Sequence, residues 1–86
     1  MGPPGEPRAA PGRILWRCRR GMKELDVLLE RYARAGHPQA AAAEQRHFEA
    51  LLELPDPLLA GYFLAGDIPA DPALAGLVAR IRTYVA

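Results

Sequence analysis

One stretch of the chain combines residue types that could bind a partner: Arg19-Arg20-Gly21-Met22-Lys23-Glu24-Leu25-Asp26. It places three cations and two carboxylates within eight residues, on both sides of a single glycine. Guanidinium groups donate paired hydrogen bonds to carboxylates and phosphates, and glycine, which has no Cβ, allows another backbone to approach closely. We therefore predict that this stretch is a binding surface formed by Arg19, Arg20, Gly21, Met22, Lys23, Glu24 and Asp26.

The same stretch also has a structural interpretation, as a junction between two helices. Gly21 could end the first helix and cap the second, while Glu24, at the third helical position, reaches back to the Gly21 backbone N–H as in a capping box. That interpretation leaves the neighbouring charges and an exposed Met22 unexplained. Both interpretations stay open at this point.

Signals for catalysis or metal binding are weak. The chain has no serine. Its single cysteine, Cys18, lies among arginines that would lower the pKa of its thiol, but a lone cysteine on an apolar helix face is more often a small core residue. The two histidines, His37 and His47, lie ten residues apart with no second cysteine, which does not favour a metal site. We predict no catalytic residue, no metal site and no enzymatic activity.

Length and composition favour one small globular domain. The chain has 86 residues, 50% of them hydrophobic and 24% charged, with a net charge of +1, which gives no overall attraction to nucleic acids or membranes. No apolar run approaches the roughly 20 residues that span a bilayer. The first residues lack a signal-peptide core, and a single cysteine suits a reducing compartment. We predict a cytoplasmic protein.

The charges are unevenly distributed along the chain. Residues 1–20 carry five arginines against one glutamate, and residues 44–71 carry six carboxylates against one arginine. This pattern predicts a basic end, an acidic end and an oriented partner. The cluster Arg13, Arg17, Arg19, Arg20 and Lys23 could bind phosphate groups or form a solvated helix face. The alternative function is therefore that of a small helical nucleic-acid-binding or toxin–antitoxin regulatory protein.

Apolar periodicity predicts an all-α fold, a compact bundle of five short helices in residues 13–86. Residues 1–12 hold four of the nine prolines and three glycines, so we predict a flexible tail. The helices are expected over 13–20, from 22 to a stop near Gly36, over 39–54, from 58 to a stop at Gly66, and after Pro72. Trp16 is expected to dock the first helix, and Asp56 and Asp71 to cap the last two.

The stretch with which we began resembles a known family. Arg20-Gly21-Met22-Lys23-Glu24 matches the RGxxE signature of the SdhE and succinate dehydrogenase assembly factor 2 family, the FAD assembly factors of succinate dehydrogenase. The resemblance extends over about residues 13–82. It includes Trp16-x-Cys18-Arg19-Arg20-Gly21-Met22-x-Glu24-Leu25-Asp26, Phe48-x-x-Leu51-Leu52-Glu53, Asp56-Pro57 and Pro69-Ala70-Asp71. The chain departs from the family at Tyr62, where a tryptophan is usual.

The resemblance implies a five-helix fold and a role as an assembly chaperone. The client would be the flavoprotein subunit of succinate dehydrogenase, and in some cases that of fumarate reductase. The factor would promote covalent attachment of FAD to a histidine of that subunit, without holding a cofactor stably itself. On this basis we expect the Arg20–Glu24 surface to dock at the client's cofactor cleft and to hold flavin and histidine in near-attack geometry.

Overall fold

The computed structural model describes residues 12–84, which fold into five α-helices without a strand. They are α1 (Gly12–Arg17), α2 (Lys23–Arg31), α3 (Ala42–Leu51), α4 (Asp56–Leu64) and α5 (Pro72–Thr83). A π-helical turn (Tyr32–Gly36) and a 3₁₀ turn (His37–Gln39) connect α2 to α3. The predicted all-α fold is confirmed. The predicted tail lies outside the described residues except for Gly12, which begins α1.

Helix α2 lies at the centre of the bundle. It packs against α4 and α5, while α3 packs against α5. The predicted apolar faces supply a single core that includes Leu25, Leu29, Phe48, Leu59 and Ile81, each fully buried. The core therefore forms where the helical periodicity placed it.

The exposure of two side chains, Trp16 and Met22, differs from the prediction. Trp16 is 73% exposed and does not dock α1. Ile14 on α1 and Cys18, the residue after its end, are the buried side chains of this segment, and Trp16 lies between them on the other side. Met22, predicted to be exposed, is partly buried against the core, as is Tyr62 on α4.

The π-helical turn surrounds a buried tyrosine. The Tyr32 ring makes edge contacts with Phe48 and Tyr84, with centroid distances of 4.9 and 5.9 Å. Its hydroxyl donates a hydrogen bond to the Glu44 carboxylate, and burial together with this bond raises the pKa of Tyr32. A Cβ at Gly36 would lie 2.6 Å from the Tyr32 ring. Gly36 thus provides space for the Tyr32 ring. Its φ of −81° lies outside the left-handed region in which a glycine commonly ends a helix.

Two of the other predicted helix ends are confirmed and one is wrong. The Asp71 carboxylate accepts a hydrogen bond from the Ala73 N–H at 3.0 Å and so caps α5. Gly66, at φ +83°, follows the end of α4 in the left-handed region. Asp56 does not cap α4. It is the first residue of that helix, and its carboxylate is turned toward Arg20 instead.

Candidate functional site

The loop between α1 and α2 is held by one aspartate from the helix that follows it. The Asp26 carboxylate accepts the backbone N–H of Arg20 at 2.8 Å and that of Gly21 at 3.2 Å. The predicted capping box is therefore wrong, because Asp26 rather than Glu24 satisfies these donors. Side chains of a helix lean toward its N-terminus, so a residue in the first turn of α2 reaches the preceding loop. Glu24 is left exposed to solvent.

Arg20 ties this loop to the turn between α3 and α4. Its side chain is only 16% exposed, and Nη1 lies 3.0 Å from Oδ1 of Asp56. Nη2 donates a hydrogen bond to the Leu52 carbonyl oxygen. Arg20 thus has a structural role that the sequence did not indicate, and its contact with a partner stays a prediction.

The basic and acidic segments of the chain meet in the fold. Besides the Arg20–Asp56 pair, Arg17 lies 3.5 Å from Glu53. The prediction of separate basic and acidic ends is wrong here, because the α3–α4 turn packs against the α1–α2 loop. Much of the arginine charge is thereby compensated within the protein, which weakens the case for a phosphate-binding arginine surface.

The predicted binding residues divide into two sets. The anchoring set comprises Arg20, Met22 and Asp26, which are at least partly buried or bonded to the fold. The exposed set comprises Arg19, Gly21, Lys23 and Glu24. Within the exposed set, Arg19 is 64% exposed and 3.3 Å from Glu30, and Gly21 has a φ of +85° with no atom within 4 Å of a Cβ built there.

An apolar groove adjoins the exposed set and was not predicted. It has a volume of about 550 Å³ and is lined by Lys23, Glu24, Val27, Leu28 and Leu64. Val27 is 52% and Leu64 is 45% exposed. Val27 could have been noticed in the sequence, because it is an apolar residue on the charged side of an otherwise amphipathic helix. Nothing in the sequence placed Leu64 beside it, since that contact depends on the packing of α4 on α2.

The remaining candidates for chemistry have structural surroundings. Cys18 is fully buried and its thiol donates a hydrogen bond to the Ile14 carbonyl oxygen at 3.3 Å. Burial raises the pKa of Cys18 to about 12, so the thiol is protonated and the core interpretation is confirmed. Across residues 12–84, no three histidine, cysteine or acidic side chains come together as metal ligands. In the same range, no helix has the length and apolar character needed to cross a bilayer.

Comparisons with known proteins agree with the resemblance seen in the sequence. Residues 12–85 match the family described as "Flavinator of succinate dehydrogenase". The chain is 45% identical to the FAD assembly factor SdhE of Methylococcus capsulatus over 74 residues, which cover 86% of this chain and 89% of that one. It is 40% identical over 79 residues to the protein of that name from Psychrobacter arcticus, with 92% and 85% of the two chains covered. No solved structure matches the chain.

The family match spans all of the described residues, including the loop at Gly21 and every helix. The chain belongs to the family of flavinators of succinate dehydrogenase.

Proposed function

We propose that this protein binds the flavoprotein subunit of succinate dehydrogenase and promotes covalent attachment of FAD to a histidine of that subunit. Membership of the flavinator family and similarity to proteins named FAD assembly factors support this role. A fumarate reductase flavoprotein is proposed as a second client. The protein acts as a chaperone and not as an enzyme, because the bond forms on the client through the electrophilic chemistry of the flavin itself.

The observation that carries the proposal is the division between anchored and exposed residues around Gly21. Asp26 and Arg20 hold the loop in one conformation. The exposed residues Gly21, Lys23 and Glu24 lie close together in the sequence, just before and at the start of α2, which begins at Lys23. A surface that is already ordered loses little conformational entropy on binding. It can therefore hold a client with its flavin and histidine in reactive geometry.

Gly21 gives this surface its open centre. A client backbone can approach it because no side chain projects from this position and no neighbouring atom closes the space. Glu24 supplies a carboxylate beside it that makes no hydrogen bond within residues 12–84 that would hold it back from a partner. We therefore assign client contact to Gly21 and Glu24, and loop positioning to Arg20 and Asp26.

The test is covalent flavin on the client, read by in-gel fluorescence after co-expression with wild-type or variant protein. Glu24→Gln removes one exposed charge, so its free energy of unfolding should stay within about 0.5 kcal/mol of wild type, while flavinylation should be lost. Glu53→Gln is the control, since Glu53 is 73% exposed and lies in the turn between α3 and α4, and its ion pair with Arg17 should contribute less than about 1 kcal/mol. Normal flavinylation by Glu24→Gln contradicts the assigned surface. Equal flavinylation with and without the wild-type protein contradicts the function itself.

Gly21 needs a control for backbone strain. Any side chain at φ +85° is disfavoured by roughly 1–2 kcal/mol, whatever the client does. Gly66 has nearly the same φ, +83°, and equally open surroundings. Gly21→Ala and Gly66→Ala should therefore lose similar stability, but only Gly21→Ala should reduce flavinylation. Equal loss of flavinylation in both variants would show that strain, not client contact, is the cause.

A further inference from the structure

We propose that the client's contact extends from the exposed set around Gly21 across the apolar groove between α2 and α4, and that this groove receives an apolar side chain of the flavoprotein subunit, an inference that rests on the proposed function. The groove has a volume of about 550 Å³. Val27, Leu28 and Leu64 form its apolar part. Lys23 and Glu24 border it and belong to the exposed set, so the groove is continuous with the surface assigned to the client.

The exposed set is too small to form a complete interface. Stable protein–protein interfaces bury about 800 Å² on each partner and involve roughly 20–30 residues a side. The exposed set has four residues, one of which is a glycine, so a client held at Gly21 must cover further surface next to it. Interfaces have an apolar core inside a polar rim. Val27 and Leu64 beside Lys23 and Glu24 provide that arrangement.

Helix α4 is apolar toward solvent as well as toward the core. Asp56 is its only charged residue and occupies its first position. Leu59 and Phe63 supply its buried side, yet Leu64, at its last position, is 45% exposed. A helix that is apolar on all sides is usually buried. Because Leu64 lies beside Lys23, we expect the client to cover this end of the helix.

The other exposed apolar side chains lack this continuity. The remaining large ones in the described part of the chain are Trp16, Leu58 and Ile68. Leu58 and Ile68 do not line the groove. Trp16 adjoins Arg19, but no second exposed large apolar side chain among residues 12–84 lines the surface there. The groove is therefore the place where two exposed apolar side chains adjoin the exposed set.

The chemistry of the groove defines what it can accept. Its apolar part favours a side chain that loses water on burial. Lys23 and Glu24 form no ion pair with another residue of 12–84, so both remain available to pair with polar groups of the client. The matching segment thus presents an apolar side chain with polar or charged neighbours.

The test compares two leucines of the same helix. Leu64 and Leu58 both lie on α4 and are both 45% exposed, but only Leu64 lines the groove. Leu64→Ser and Leu58→Ser should therefore lose similar stability in urea denaturation. Affinity for the flavoprotein subunit, purified from cells that lack this protein and measured by isothermal titration calorimetry, should fall about tenfold in Leu64→Ser and stay at the wild-type value in Leu58→Ser. Equal affinities of the two variants overturn the proposal.

Two further variants separate apolar contact from loss of the fold. Val27→Ser changes the α2 side of the groove, and valine and serine have similar helix propensities. It should also weaken binding, and it decides the proposal if Leu64→Ser does not fold; wild-type affinity in Val27→Ser contradicts a filled groove. Leu64→Met keeps an apolar side chain of similar size and should retain wild-type affinity. If Leu64→Met binds as weakly as Leu64→Ser, apolar contact is not the cause.

Ionic strength gives the contact a chemical signature. Between about 0.1 and 1 M sodium chloride the Debye length falls from about 10 to about 3 Å. The ratio of wild-type affinity to that of Leu64→Ser should stay constant over this range, because salt does not screen apolar burial. The corresponding ratio for Glu24→Gln should decrease. A ratio for Leu64→Ser that decreases with salt assigns the loss to charge and overturns the apolar contact.

A second copy of this chain is the competing occupant. If sedimentation velocity of the protein alone shows a dimer that Leu64→Ser dissociates and Leu58→Ser does not, the groove joins two copies and the proposal is overturned. The proposed function has a separate readout in covalent flavin on the client. If the wild-type protein neither binds the subunit nor raises its covalent flavin, both proposals fail. If it does both while Leu64→Ser binds as Leu58→Ser does, only the groove assignment fails.

Discussion

Substitution of Arg20 by alanine is expected to destabilise the fold well beyond what a surface arginine costs. Arg20 belongs to the RGxxE motif, so a loss of function in an Arg20 variant invites the conclusion that it touches the client. The structure provides another reason. Its guanidinium bonds both the Asp56 carboxylate and the Leu52 carbonyl while only 16% of the side chain is exposed.

The magnitude follows from those two bonds. Hydrogen bonds to a charged group contribute about 1.5–3 kcal/mol each to the free energy of unfolding. Because the Asp56 side chain is 45% exposed, the lower end of that range applies, so Arg20→Ala should lose about 3 kcal/mol. A protein of this length has roughly 5–10 kcal/mol in total. The corresponding decrease in Tm is about 10–20 °C.

Urea denaturation followed by circular dichroism at 222 nm measures this loss. Arg19→Ala is the matched control, because Arg19 is 64% exposed and its pair with Glu30 should contribute less than about 1 kcal/mol. A double-mutant cycle of Arg20→Ala with Asp56→Asn should give a coupling of about 1 kcal/mol. If Arg20→Ala is no less stable than Arg19→Ala, the two internal bonds contribute nothing measurable and the reasoning fails.

Three further outcomes test other parts of the fold. Because burial raises the pKa of Cys18 from 9.0 to about 12, the unfolded thiol ionises first as pH rises. The free energy of unfolding should begin to fall as pH approaches 9 and should lose at most about 1.4 kcal/mol through Cys18 between pH 9 and 10. Tyr32, whose pKa is also raised, contributes at the upper end of this range, so Cys18→Ala should show a smaller fall than wild type. An equal fall in both proteins would assign it to another group. Gly36→Ala should lower stability by about 1–2 kcal/mol, since its Cβ would meet the Tyr32 ring at 2.6 Å. Gly76→Ala, in open space on α5, should raise stability by roughly 0.5–1 kcal/mol. Equal effects of the two substitutions on thermal denaturation would contradict this. Asp26→Ala should cost about 1–2 kcal/mol by urea denaturation, as for the loss of a helix cap. A change below about 0.5 kcal/mol, which is typical of surface substitutions, would refute its role in the loop.

The helices could be predicted because their signals are local. The stripe of Leu25, Leu28 and Leu29 follows the period of one helix, and proline or glycine marks the ends of several other helices. Asp71 before Pro72 was interpreted correctly, because an N-cap depends only on residues within one turn. The π-helical turn was missed, since its conformation suits the packing of the Tyr32 ring against Phe48 and Tyr84, which are distant in sequence.

The loop between α1 and α2 shows the same division. The residue types of Arg20-Gly21-Met22-Lys23-Glu24 were enough to indicate the family and to nominate a surface, because a motif is written in consecutive positions. The choice between Glu24 and Asp26 as the residue that bonds the loop was predicted wrongly. Both residues follow Gly21 closely enough in the sequence for their carboxylates to reach its backbone N–H. The residue at which α2 begins, Lys23, decides which of the two carboxylates does so.

The sequence by itself determined the all-α class, the helix faces that form the core, and the family, since each rests on periodicity or on neighbouring residues. Only the tertiary structure decided which charges are paired within the protein and which stay exposed to solvent. It brings Asp56 to Arg20 and Glu53 to Arg17, across more than thirty residues of chain, and so turns apparently free arginines into internal anchors. The energy of an ion pair depends on the distance between the charges in space and on the exclusion of water. Neither quantity can be deduced from the order of the residues alone.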